Sequence, residues 1–199
     1  MNKEQFREIC LKKLQKASTL NKAHKDRIIV HSLQKILREL KPKSVLAYIS
    51  MAHEPDISHL FTFIKERSEL FIPFMVGKSF KMVKYRLPLK SAKFGIFQAG
   101  NSHRKISKVD VMIVPVVGVD RNLKRIGFGK GMYDRFHASL TNKPIIIFVQ
   151  TCACITKKDI TNIYDIKADY FVTSERYVLA SRPENVTRRT VNRWRRCNN

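Results

Sequence analysis

The sequence predicts an α/β domain: an open, mostly parallel sheet with helices on both faces, three layers in all. Three observations carry this. The continuous apolar runs SVLAYI (44–49), VMIV (111–114) and PIIIFV (144–149) suit strands buried on both faces. Stretches whose apolar residues recur at helical spacing separate them. The middle run ends in Pro115 and opens into a loop rich in glycine and cations, followed by a segment able to form a helix. Strand, loop and helix in that order is the repeating unit of parallel α/β sheets.

Taken in order, residues 3–16 read as a helix with Phe6, Ile9, Cys10 and Leu14 along one stripe. Lys3 and Arg7, four apart, project from one face a turn apart. A second helix, 21–40, places Ile29, Leu33, Ile36 and Leu40 on one side and is stopped by Pro42. The strand 44–49 runs into a loop and then a helix over 57–67, with Asp56 as its N-cap. Strands follow at 70–74 and 80–85, joined by a turn at Gly77. Phe94 and Phe97 read as core residues. A helix over 132–140, the strand 144–149 and a last strand, 170–173, complete the domain.

At 199 residues and 44% hydrophobic content, one compact domain is expected, over 1–175, with a basic extension at 176–199. No apolar run approaches the roughly 18 to 20 residues of a membrane-spanning helix, and the first residues lack the apolar core of a secretory signal, so a cytosolic setting is expected. Cys10, Cys152, Cys154 and Cys197 show no C-x-x-C pairing. They read as buried or incidental thiols, without zinc and without a disulfide framework.

Net charge is +23, of which the six arginines and one glutamate of residues 182–199 hold about +5, leaving about +18 spread over the rest. A surplus of this kind attracts polyanions, so nucleic acid is carried as an alternative partner. The spread-out lysines fit an anionic small substrate as well, and no RNP-like aromatic motif or zinc finger accompanies them. Thr187, Val191 and Trp194 fall at helical spacing in the tail, whose composition equally suits a disordered extension.

Four of the seven glycines, Gly118, Gly127, Gly129 and Gly131, fall in the central stretch 109–136. A buried strand feeding such a loop and then a helix start can hold phosphate: bare backbone N–H groups approach the oxygens, and Arg125 and Lys130 add full charges. Asp134, a few residues into the helix, is placed to hold a divalent metal bridging those phosphates. The glycine spacing is neither that of a P-loop nor that of a dinucleotide fingerprint.

The order of Asp120, Arg125, Gly127, Gly129, Lys130, Gly131, Tyr133, Asp134 and Arg135 resembles the motif of the 5-formyltetrahydrofolate cyclo-ligases, or methenyltetrahydrofolate synthetases. Lys3-Glu4-Gln5-Phe6-Arg7 keeps the spacing of that family's opening cations, and Tyr48 to Glu54 matches its folate loop. The resemblance covers about residues 3–173. It implies a Rossmann-like fold related to that of ribose-5-phosphate isomerases and CoA transferases, and a monomer. It implies ATP- and Mg²⁺-dependent cyclisation of 5-formyltetrahydrofolate, with or without a polyglutamate tail, to the 5,10-methenyl form. ATP would meet Lys3, Arg7, Arg125, Gly127, Phe128, Gly129, Lys130, Gly131, Met132 and Tyr133, with Arg125 and Lys130 catalytic. Folate would meet Ile49, Met51, Glu54 and residues 128–132 (Phe128 to Met132). Mg²⁺ would meet Asp134 and Asp165.

Read without that resemblance, Glu54 is an exposed loop carboxylate, Lys3 and Arg7 are solvated cations, and His53 and His59 are surface histidines, His53 a minor candidate for the pocket wall. Tyr133 reads equally as a polar contact or a packing residue, and Arg135 as a salt-bridge former. This chain departs from the family pattern at Ala99, at Tyr164 and over 151–154.

Overall fold

The computed structural model describes residues 1–91, 97–102, 106–175 and 177–179. Phe94 and the proposed tail helix around Thr187, Val191 and Trp194 lie outside them. Chain order is α1 (Lys3–Thr19), α2 (Lys22–Leu40), β1 (Ser44–Leu46), α3 (Leu60–Lys65), β2 (Glu69–Val76), β3 (Ser79–Lys84), β4 (Lys90–Ser91), β5 (Phe97–Gln98), β6 (Val111–Pro115), β7 (Gly118–Val119), β8 (Arg125–Ile126), α4 (Met132–Ser139), β9 (Ile145–Gln150), β10 (Tyr170–Thr173) and β11 (Tyr177–Leu179).

The main sheet has seven strands in the order β11-β10-β9-β6-β1-β2-β3. Its five inner strands are parallel, and an antiparallel strand closes each edge. Strand periodicity divides the apolar residues cleanly. Val45, Val111, Ile113, Ile147, Val149 and Val172 face α2 and α3 in one core. Leu46, Met112, Val114, Ile146, Phe148 and Phe171 face Phe136 of α4 and Leu140 just after it in the other. Both faces are therefore covered, which is why these strands read as unbroken apolar runs.

Several expectations are corrected by tertiary packing. Pairing in β1 stops at Leu46, although Ala47 still donates to the carbonyl of Phe71 (2.9 Å). The helix expected over 57–67 is limited to α3, with His59 before it; Asp56 instead accepts from Ser58 N–H (2.9 Å), a turn that delays the helix. Ile9 is 54% exposed, because α1 turns only Phe6, Cys10 and Leu14 inward. A further edge strand, β11, follows the one expected to be last.

The largest correction concerns the cysteines. Cys10 of α1 and Cys154 after β9 form a disulfide across 144 residues of sequence, while Cys152 is a buried free thiol. Their spacing gave no hint of it, since the bridge joins segments that only the fold brings together. It pins α1 to a core of its own with Val117 and Ile126. Reduction is expected to lower stability by about 2–4 kcal/mol, read as a fall in urea midpoint on adding dithiothreitol. An unchanged midpoint would show that the bridge contributes nothing.

Candidate active site

Parallel strands β1 and β6 both deliver their C-terminal ends to one edge of the sheet, where open α/β folds bind ligands. A cleft of about 640 Å³ lies there, within the usual range for small-molecule sites. Tyr48, Ile49, Met51 and Glu54 form one side, Pro73, Met75 and Phe80 of the β2–β3 hairpin another, and Phe128 to Met132 the rim.

The rim is built from the short β7–β8 hairpin. Asp120, fully buried, ties that hairpin by accepting from the N–H groups of Asn122 and Lys124 (both 2.9 Å) and from the Thr161 hydroxyl. It permits Leu123 its left-handed φ of 56° and is a structural residue. The chain then passes Gly129 (φ 97°) and Gly131 (φ 59°) and enters α4. A side chain is strained at either position, so glycine is needed for this path.

Helix α1 packs onto the same loop. Arg7 Nε donates to the carbonyl of Gly127 (2.8 Å), and Lys3 Nζ lies 2.6 Å from both Asp165 oxygens. The two cations that look solvated in the sequence are thus drawn to the rim from the far N-terminus. Asn2 holds the start of the helix by a capping box with Gln5.

Arg125 is 5% exposed and paired with Asp134 (NH1 to Oδ2, 2.9 Å), its guanidinium 5.1 Å from the Tyr133 ring centroid. Its Nε is buried without a hydrogen-bond partner among the described residues, although Arg125 lines the cleft. Asp134 also accepts from the N–H of Ile166 (3.3 Å), the residue after Asp165. Asp134 and Asp165 therefore stand at the same edge of the sheet, each already neutralised by a cation. Among the described residues no group of three or more His, Cys, Asp or Glu side chains could hold a metal.

Glu54 is 4% exposed, against the reading of a solvated carboxylate. It accepts from the Met51 N–H (2.9 Å), closing its own loop. Burial raises its pKa from 4.5 to about 7, opposed by the Met51 hydrogen bond and the charges of Arg125 and Lys22. The native state therefore binds a proton that the unfolded chain releases near pH 4.5. Stability from this group is complete below that pH and is lost as pH rises through about 7, a fall of about 3 kcal/mol. Glu54→Gln is expected to flatten that part of the stability curve, measured by urea unfolding at pH 5 and pH 8; an unchanged slope would contradict it.

Tyr133 is packed between Phe80, in edge contact at 5.0 Å, and the Arg125 guanidinium. Burial and the Glu54 charge raise its phenol pKa far above the ordinary value. Among the described residues Arg135 makes no salt bridge. It donates to the carbonyls of Lys78 and Lys130, which stitches the glycine loop to the β2–β3 turn and leaves Arg135 in the cleft wall. Met132 is half buried against the α4-side core and lines the same rim.

Phe97, expected in the core, is 51% exposed and borders the cleft. His53 stays on the surface near the Ser18 hydroxyl (3.5 Å), as does His59, and neither lines the cleft. Sequence reasoning missed Phe80, Met75 and Lys78, which a hairpin carries over the site. The turn at Gly77 was the available signal, but it did not reveal where the hairpin would fold.

A mostly parallel sheet with an apolar cleft at its strand ends, rimmed on one side by glycines and cations and holding a buried carboxylate opposite, defines an α/β enzyme of small molecules. A family model, the 5-formyltetrahydrofolate cyclo-ligase family, matches residues 1–158. The chain belongs to that family. It is 30% identical over 143 residues to the 5-formyltetrahydrofolate cyclo-ligase of Mycoplasma pneumoniae, covering 72% of this chain and 81% of the relative.

Solved structures repeat the fold. A 5,10-methenyltetrahydrofolate synthetase from Aquifex aeolicus superposes with a TM-score of 0.75 at 23% identity, over 96% of this chain and all (100%) of the other. One from Mycoplasma pneumoniae gives a TM-score of 0.64 at 22% identity, over 85% and 96%.

Proposed function

We propose that this enzyme closes 5-formyltetrahydrofolate to 5,10-methenyltetrahydrofolate with consumption of ATP and release of ADP and phosphate. The observation that carries the reading is one cleft with two unlike ends: the glycine loop with its cations, and Glu54 among Tyr48, Ile49 and Met51. The first suits a triphosphate. The second suits a flat pterin, whose N–H edge a carboxylate can accept while apolar side chains cover the ring.

The formyl oxygen is a poor leaving group, so it first takes the γ-phosphoryl of ATP, with ADP departing. N10 then attacks the formyl carbon and loses its proton, and the C–O bond breaks to release phosphate. No covalent enzyme intermediate is needed. Lys130, Lys3, Arg7 and Arg125 would offset the negative charge, and the rim of Phe128 to Met132 would hold the two reactants in contact.

Asp134 and Asp165 fit Mg²⁺, which is commonly held by one or two carboxylates together with substrate phosphates. Bound there, the ion would supply charge neutralisation to the transferring phosphoryl group. Lys3 would pass from Asp165 to the phosphates as nucleotide and metal enter together.

Incubation of the folded protein with 5-formyltetrahydrofolate and Mg-ATP should produce the methenyl chromophore, and omission of ATP or addition of EDTA should stop it. Absence of turnover by well-folded protein would overturn the reading.

A further inference from the structure

Ile163 and Tyr164 are the most exposed large apolar side chains among the described residues, at 81% and 78%. Single exposed apolar side chains are ordinary. Two adjacent ones, held on a tightly bonded turn beside a charged site, are less so. Asn162 Oδ1 accepts from the N–H of Tyr164 (3.0 Å), the Asn162 N–H donates to Asp165 (2.8 Å), and Lys124 donates to the Asn162 carbonyl (3.2 Å). The turn therefore fixes the backbone of Tyr164 while leaving its ring in water.

The next residue, Asp165, holds Lys3, and one helical turn beyond Lys3 is Arg7, bonded to Gly127. Tyr164 thus adjoins the Lys3–Asp165 pair, on the side of the site where α1 brings its cations to the glycine loop. The lining of the cleft does not extend to Lys3, Asp165 or Tyr164, and its volume is that of one small-molecule ligand. A nucleotide sharing that rim with a folate has to leave its base outside the cleft.

We propose that Tyr164, flanked by Ile163, is the platform on which the purine ring of the nucleotide stacks. This rests on the function proposed above. The chemistry is simple: a purine has an apolar π-face that stacks well on a phenol ring, and Tyr loses little conformational freedom in providing it. Cations along the α1 edge hold the phosphates, and the ring beyond them distinguishes a nucleoside triphosphate from a bare polyphosphate.

The test compares binding of Mg-ATP and of magnesium tripolyphosphate to the full chain by calorimetry, in the wild type, Tyr164→Ala and Tyr164→Phe. Because the side chain is solvent-exposed, both variants should fold, which circular dichroism verifies. Tyr164→Ala is expected to weaken Mg-ATP about tenfold and to leave tripolyphosphate within about twofold, with Tyr164→Phe like the wild type. Equal affinity of Tyr164→Ala and wild type for Mg-ATP would overturn the platform, as would equal weakening of both ligands. If the wild type binds no Mg-ATP, platform and proposed function both fall. If it binds Mg-ATP but forms no methenyl product, only the proposed function falls, and the comparison of variants still decides the platform.

Discussion

Arg125→Met should destabilise the fold by about 3 kcal/mol or more, seen as a large drop in urea midpoint. The guanidinium is buried, paired with Asp134 at 2.9 Å, and NH2 lies 3.4 Å from the Pro115 carbonyl. Removing it leaves a carboxylate whose side chain is only 16% exposed without its partner. That uncompensated charge dominates the cost, so Arg125→Met/Asp134→Leu should recover much of the loss. A related perturbation comes from the neighbouring loop. A Cβ at Gly127 would fall 2.3 Å from Arg125 NH1, so Gly127→Ala is expected to push the guanidinium off Asp134 and to destabilise in the same direction. A single Arg125→Met variant within about 1 kcal/mol of the wild type would show that the pair is not a structural anchor.

Lys130→Ala should behave in the opposite way, with the fold intact and the rate of methenyl formation lowered by about 10²-fold. Lys130 is exposed, on the rim between Gly129 and Gly131. Its expected work is done on developing negative charge at the transferred phosphoryl, where a cation in a restricted site is worth far more than in water. A fall of less than about threefold, with stability unchanged, would move phosphate binding away from this loop. Together the two variants separate the effect of a buried, paired cation on the fold from that of an exposed one on the rate.

That division was only partly legible in the sequence. Arg125 and Lys130 sit five residues apart in one motif and look alike there, as two cations beside glycines. The strand–loop–helix pattern located both. Burial separated them, because β8 turns Arg125 inward beneath the loop while Gly129 and Gly131 hold Lys130 out. Glu54 shows the same limit. In its loop nothing distinguishes it from a solvated carboxylate, and its raised pKa arises from walls contributed by other segments. Asp165 and Lys3, which lie 162 positions apart, meet only because α1 folds back across β7 and β8.

By itself, the sequence determined what depends on neighbouring residues. It set the helical and strand periods, the unbroken apolar runs of strands covered on both faces, and a glycine loop whose backbone angles exclude other side chains. These are local preferences, expressed within a few residues. Only the tertiary structure decided which cysteines pair, which charges are buried and how the β2–β3 hairpin walls the cleft. Those outcomes follow from long-range packing, in which burial changes the free energy of a charge by more than any local signal can record.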